Sequence, residues 1–267
     1  MCPYLLISII LNVLASRYFR DRKIQFSSTN EYIAITSAAF VGLISPLPTY
    51  AAIPIGLSLL RTGIPFSAVM AFVLSSPLMN PTIFFLTATQ IGMEMAVART
   101  LTALLLAMIG GLLTIKLSKH LYNADAPLPF MRKSPARTLW GDIYGNTKYI
   151  AKFFSIAILL SAAVKALIPP EMIASLLGGN SKVSTLVAIG MGVPFYTCGG
   201  SAIPFMETLM EMGMQKGPML AFFIAGPATK LETLYAYKSL LGIKVLIFYL
   251  SLTFIFSYVI GVLYSFL

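Results

Sequence analysis

Residues 42–81 read GLISPLPTYAAIPIGLSLLRTGIPFSAVMAFVLSSPLMNP, and residues 192–231 read GVPFYTCGGSAIPFMETLMEMGMQKGPMLAFFIAGPATKL. Laid one above the other without a gap, Gly42, Ala52, Ile53, Pro54, Leu59, Gly63, Ala71, Phe72 and Pro77 meet Gly192, Ala202, Ile203, Pro204, Leu209, Gly213, Ala221, Phe222 and Pro227. The offset is a constant 150 residues. Both stretches are apolar and interrupted by Pro and Gly at matched places. Repeated broken helices in an apolar chain point to a transporter whose substrate sits between its halves.

The rest of the composition fits that reading. A mean hydropathy of +0.85, with 58% hydrophobic and 10% charged residues, lies far from soluble domains, where about a quarter of residues are charged. Segments such as ALLLAMIGGLLTI and VLIFYLSLTFIFSYVIGVL are apolar all round, which indicates membrane helices and not the alternating strands of a barrel. The net charge of +10 is distributed as topology demands. Arg17, Arg20, Arg22 and Lys23 follow the first apolar segment, and Lys116, Lys119, Arg132, Lys133, Arg137, Lys148 and Lys152 sit in or beside the central polar stretch. Both loops are therefore expected on the cytoplasmic side, and no nucleic-acid partner is implied. The basic residues follow PYLLISIILNVLAS instead of preceding it, so a retained first span is expected and not a cleaved signal.

Applied to the whole chain, the offset maps residues 1–117 onto 151–267 and leaves 118–150 as a basic cytoplasmic linker. Apolar segments fall near 3–17, 32–47, 51–61, 65–90 and 93–116, and again near 150–168, 172–197, 201–212, 216–238 and 243–266. An even number of crossings must separate two cytoplasmic loops, which gives five segments per repeat and inverts the second copy. The expected fold is an all-α polytopic membrane protein of two inverted five-segment repeats, about ten spans, with broken helices meeting near the midplane. Segments 51–61 and 201–212 are too short to cross about 30 Å, so eight spans plus two re-entrant half-helices is the alternative.

Proline inside a helix removes a hydrogen bond and clashes with the preceding turn, and in lipid the freed backbone needs protein or a water-lined cavity. Two matched pairs of breaks are expected: SPLPTYAAIP with YTCGGSAIP, and SSPLMNP with AGPATK. Helix ends created there attract ions or lone pairs through their dipoles and unpaired backbone groups. Thr49, Tyr50, Asn80, Tyr196, Ser201 and Thr229 supply neutral hydrogen-bonding groups, and Gly199 and Gly200 allow close backbone approach. Pro54, Pro77, Pro204 and Pro227 set the breaks, and Cys198 adds one soft sulfur. Ionisable residues within spans are functional candidates, here Glu207, Lys230 and Glu232. Lys230 paired with Glu232 or Glu207 as a structural ion pair is the competing reading. Arg99 is expected to snorkel to the interface and His120 to lie in a solvated loop.

Two cysteines and one histidine define no disulfide framework or metal site, and neither a metal nor a cofactor is expected. There is no GxxxxGK[ST] for nucleotide coupling and no paired carboxylate or His motif at catalytic spacing. A secondary permease is the leading expectation, with a small-molecule substrate, the lipid bilayer and, as an open option, a second copy of the chain as partners. A permease for a small organic anion and a membrane-embedded enzyme are the alternatives.

The motifs SPLxxxxxIP, AFxxxSPLxNP, GxPxYxCGGxxIP and GPATK, spread over nearly the whole chain, resemble the predicted-permease family of YraQ-like and ArsP-like proteins. The resemblance implies a multi-pass permease of the bacterial inner membrane, and export of trivalent organoarsenicals or heavy metals. Arsenical-type members tend to carry paired thiols at the first break, where this chain has Pro48, Thr49, Tyr50 and Ala51. At the second break Cys198 is followed by Gly199 and Gly200. Trivalent arsenic, being soft, favours paired thiolates.

Overall fold

The computed structural model describes residues 30–45, 47, 49–61, 63–121, 162–163, 166–167, 169–179, 182–192 and 202–266. The expected first span, nearly all of the linker and most of segment 150–168 lie outside the described residues. The described chain is helical. In order it forms α1 (Glu31–Ile44), α2 (Thr49–Arg61), α3 (Phe66–Ser75), α4 (Pro81–Gln90), α5 (Met93–Leu121), α6 (Pro170–Leu177), α7 (Lys182–Gly192), α8 (Ile203–Glu211), α9 (Lys216–Ala228), α10 (Leu231–Ala236), a π-helical turn at Tyr237–Leu241, and α11 (Ile243–Tyr264).

Local signals set the ends. Asn30 Oδ1 accepts the Tyr32 N–H at 3.1 Å and caps α1, a contact worth about 1 kcal/mol. The helix stops at Ser45, which precedes Pro46 and is extended, as the pre-proline residue prefers. Pro170 begins α6 at a position where its missing N–H costs nothing.

The apolar segments 65–90 and 216–238 each divide. The first becomes α3 and α4 around residues 76–80, and the second becomes α9 and α10 around residues 229–230. A ten-residue helix such as α3 or α4 rises about 15 Å, half the hydrocarbon thickness. Within the expected stretches, two of the prolines do not themselves interrupt a helix. Pro54 lies inside α2 and Pro227 inside α9, and both helices continue through them. Pro227 sits in the last turn, where the ladder is ending anyway, and Pro54 lies close enough to the start of α2 that little of the ladder is lost. The interruptions fall at residues 45–48, 76–80 and 229–230 instead. Lys116 and His120, expected in or beside a loop, stand on the last turns of α5.

Among the described residues two helices are long and apolar enough to cross a membrane, Met93–Ser118 within α5 and Ile243–Tyr264; the bent pair Glu171–Leu177 and Lys182–Gly192 would make a third. On α5, Met93, Val97, Leu101, Leu105, Ile109, Leu113 and Leu117 form an exposed ridge at every fourth residue, while Met95, Ala96, Arg99, Thr102, Ala103, Leu106 and Ala107 are buried. The ridge recurs on α11 as Ile243, Ile247, Ile255, Val259 and Leu263. A continuous apolar outer face of this kind is stable against hydrocarbon, not water. The chain is a membrane protein.

The 150-residue offset reappears in local geometry. A Cβ on Gly111 would lie 2.7 Å from Ile35 Cγ2 and 3.1 Å from both Ala71 Cβ and the Ser67 carbonyl oxygen. A Cβ on Gly261 would lie 2.8 Å from Thr185 Cγ2, 2.7 Å from Ala221 Cβ and 3.1 Å from the Gly217 carbonyl oxygen. Every partner of Gly261 is the residue 150 beyond a partner of Gly111. The glycines with positive φ also match: Gly63 with Gly213, and Gly92 with Gly242.

The described elements form two compact units. One contains α1–α3, α5 from Ala103 onward, and Glu232–Tyr249. The other contains Ile83–Thr102, α6–α9 and the chain from Leu250 onward. Each unit therefore includes a segment from the other sequence repeat. In the first, α1 packs on α3, α2 packs on α3, and the π-helical turn reaches α2. In the second, α7 packs on α9 and α6 on α7, around a core of Met95, Ile173, Leu177, Phe205, Met206, Leu209, Leu220, Phe222 and Phe223.

Candidate functional site

In the first unit the chain breaks at residues 45–48 and 76–80 are tied directly. Ser76 Oγ donates to the Leu47 carbonyl at 2.9 Å, both residues being buried. Thr49 and Tyr50 open α2 immediately after the first break. Pro77 is half-buried in the turn after α3, and Asn80 is buried just before α4. Pro77 and Asn80 thus flank the Ser76–Leu47 contact that joins the two breaks. Pro54 lies farther along α2 and is half-buried. Glu232, on α10, belongs to this unit as well.

In the second unit, α7 ends at Gly192 against the last turns of α9. A Cβ on Gly192 would stand 3.3 Å from both the backbone nitrogen and Cα of Gly226. The chain thus leaves α7 beside the Gly226-Pro227-Ala228-Thr229 stretch. Thr229 is buried and its hydroxyl donates to the Gly226 carbonyl at 3.1 Å, closing the helix end; Lys230 follows, half-buried. Pro204 is buried in the first turn of α8, and Glu207 is half-buried one turn on. Phe205 meets Phe222 with ring centroids 6.5 Å apart, so α8 and α9 are packed at this level. Tyr196, Cys198, Gly199, Gly200 and Ser201 lie outside the described residues.

The strongest polar feature is one the sequence reading placed elsewhere. Arg99 does not snorkel: it is fully buried. It shares the inward face of α5 with Met95 and Leu106, whereas Val97 and Leu101 form the lipid-facing ridge, so its stem has no path along the outside of the helix. Its Nη1 donates to Thr87 Oγ1 at 3.0 Å, and its Cζ lies 4.1 Å from the centroid of the Phe223 ring. The ring face attracts the cation, and the hydroxyl bond sets its plane. An arginine within an apolar run was the available signal. The helical face it occupies was not, because the ridge becomes visible only when burial is known.

A second cluster joins three helix ends of the same unit at its exposed surface. Lys216 Nζ lies 2.5 Å from Glu94 Oε2, and Tyr264 Oη donates to Glu94 Oε1 at 2.8 Å. Glu94 sits in the first turn of α5, where a carboxylate also interacts favourably with the helix dipole.

Helices interrupted around buried polar groups, with apolar exposed ridges on α5 and α11, are those of a polytopic type of membrane protein. The chain belongs to the ArsP-type family described as predicted permease, whose profile matches residues 1–266. It is 34% identical over 114 residues to the UPF0718 protein MJ0584 of Methanocaldococcus jannaschii, a match covering 43% of this chain and 31% of that protein. It is 23% identical over 242 residues to the UPF0718 protein YcgR of Bacillus subtilis, covering 87% of this chain and 82% of the relative. It is 22% identical over 248 residues to a Streptococcus mutans protein named "Putative two-component membrane permease complex subunit", covering 89% and 82%. No solved structure matches the chain.

Proposed function

We propose that the protein is a secondary transporter of the bacterial inner membrane that exports a small solute along its broken helices. The observation that carries this reading is the recurrence of helix interruptions at 45–48, 76–80 and 229–230 amid buried surroundings, where freed backbone groups and dipole ends serve a ligand. The absence of a nucleotide-binding loop from the sequence supports coupling to an ion gradient. In this reading the two repeats are inverted, which puts the matched turns at Gly63 and Gly213 on opposite sides of the membrane. Single cysteines at these turns would then react with impermeant maleimide from opposite faces; labelling from one face would reject the inversion.

The family resemblance and Cys198 favour a soft metalloid, an organoarsenical or a metal as the solute. A small organic anion is the second reading, favoured by the buried Arg99. The printed name of the Streptococcus mutans relative supports operation with a further subunit. The test is uptake into inside-out vesicles of trivalent arsenicals, metal ions and organic anions, with and without a pH gradient. Accumulation of at least one solute above vesicles lacking the protein is expected, and no accumulation of any would reject transport. Full retention of arsenical uptake in Cys198→Ala would remove the thiol-ligated class.

A further inference from the structure

In the first unit α1, α2 and α3 lie side by side, and the contacts at their ends show which way each one runs. At one end Ser67 Oγ, in the first turn of α3, donates to Oε1 of Glu31, the first residue of α1, at 2.5 Å. At the other end a Cβ on Gly42 would lie 1.9 Å from Ser75 Oγ and 2.8 Å from the Phe72 carbonyl oxygen, so the last turns of α1 and α3 also meet. These two helices are parallel. Between them the chain returns. The Leu47 carbonyl, just before α2, accepts from Ser76 beyond the end of α3. A Cβ on Gly56, in the middle of α2, would lie 2.8 Å from Val69 Cγ1 and 3.0 Å from Val73 Cγ2, and the turn at Gly63 then leads into the start of α3. Thus α2 is antiparallel to both.

Such a pair would be two crossings if its joint reached water on the far side, and depth decides against that. The helices α1 and α2 have 14 and 13 residues, against the roughly 20 that a crossing needs. Their joint is level with the end of α3, a helix of 10 residues, so it lies about 15 Å beyond the Gly63 turn, half the hydrocarbon thickness. The joint is also enclosed: Ser45 is 0% and Leu47 4% exposed, whereas Gly63 at the opposite end is exposed. Ser45 Oγ finds no hydrogen-bond partner among the described residues, and a hydroxyl in a surface loop would meet water.

The second unit repeats the pattern through contacts of its own. The Gln215 N–H donates to the Leu177 carbonyl at 3.0 Å, and a Cβ on Gly178 would lie 2.9 Å from the Gly213 carbonyl oxygen. The approach to α7 is thereby tied to the turn before α9. The far ends of α7 and α9 meet at Gly192 and Gly226, and Phe205 at the start of α8 packs on Phe222 in the second half of α9. Again the outer two helices are parallel and the middle one returns.

We infer that α1–α2 and α7–α8 are re-entrant hairpins: each enters the bilayer and leaves it on one face, and its tip stops inside. Irregular backbone is tolerated at that depth only where protein or a water-filled cavity encloses it, and the Ser45–Leu47 joint is buried in protein. Pro46 and Pro48 make that joint sharp, since neither can continue the helical ladder. Each repeat of five expected segments then has three crossings and one hairpin. Three is still odd, so the second copy stays inverted. On this topology Thr49 and Tyr50, and Cys198 in the stretch joining α7 to α8, belong to tips within the membrane and not to surface loops.

The experiment uses the full chain in sealed right-side-out and inside-out vesicles, with a sulfonated, membrane-impermeant maleimide as the probe. In a Cys2→Ser, Cys198→Ser background, Asn30→Cys and Gly63→Cys are expected to react from one common face. Thr49→Cys is expected to react from the opposite face at least tenfold more slowly than Gly63→Cys does from its own, while all three react fully in detergent. In the second copy the native Cys198, left alone by Cys2→Ser, is read in the same way against Gly213→Cys. Rapid labelling of Thr49→Cys or Cys198 from the face opposite its own turn would overturn the hairpin in that repeat. So would labelling of Asn30→Cys and Gly63→Cys from opposite faces. A second measurement guards against a tip that is merely crowded: a short Gly/Ser insertion between Leu47 and Pro48 is expected to abolish accumulation in the membrane, and the same insertion after Gly63 to be tolerated. Tolerance at both places would overturn the buried tip. None of these readouts requires flux, so the hairpins and the transport reading stand or fall separately.

Discussion

At Gly111 a single added methyl group would meet Ile35, Ala71 and the Ser67 backbone together, and at Gly261 it would meet their matched counterparts. Ala71 Cβ and the Ser67 oxygen cannot rotate away, so Gly111→Ala and Gly261→Ala are each expected to destabilise by about 1–3 kcal/mol, the usual cost of overpacking. Unfolding in mild detergent measures this, and unchanged midpoints would mean that α5 and α11 shift freely. Tyr237 presents the opposite case. Its hydroxyl and that of Thr233, one turn earlier, are buried and find no hydrogen-bond partner among the described residues. Removing an unsatisfied polar group relieves its desolvation cost, so Tyr237→Phe should leave stability unchanged or raise it by about 1 kcal/mol. A lowered melting temperature would show instead that the hydroxyl has a hydrogen-bond partner. At this scale sequence reading reached residue type but not direction. Arg99 was visible as a charge in an apolar run, but it was assigned to the interface because nothing in one dimension separates the inward face of α5 from its lipid ridge.

The helices and their ends were more legible. Asn30, Pro46, Gly63, Gly92 and Gly213 mark boundaries by chemistry that acts within a few residues, and the structure places ends there. Proline was the partial exception. Its penalty depends on where in the helix it falls, so Pro54 and Pro227 remain inside α2 and α9 while the neighbouring residues carry the breaks. The turn at Gly242 offers a clean test of backbone chemistry, because a Cβ there would touch nothing within 4 Å while φ is +94°. Gly242→Ala should therefore cost about 1–2 kcal/mol through conformation alone. Thermal unfolding would check the size, and a loss beyond that range would imply a contact unrelated to the turn.

For the molecule as a whole, the exposed ridges on α5 and α11 state which solvent the fold was built for. An aspartate in place of Leu105 or Ile255, midway along these helices, should cost about 3–4 kcal/mol of insertion free energy. Insertion into the membrane fraction should fall accordingly, whereas Lys244→Asp at the start of α11 should be tolerated. Normal insertion of both ridge variants would place these faces against protein and not lipid. The repeat was legible from nine matched residues because Gly and Pro keep their positions when their backbone roles persist. The exchange of segments between units was not, since an offset identifies which residues correspond but not which copy each one packs beside.

That exchange has a consequence for synthesis. The unit built on α1–α3 also contains Glu232–Tyr249, so it cannot close when the first half of the chain leaves the ribosome. Translation from Thr147 to Tyr249 takes about 5–20 s at roughly 5–20 residues per second. Over that interval the early helices wait in the bilayer with their partner surface uncovered, a period when membrane chaperones and proteases compete for them.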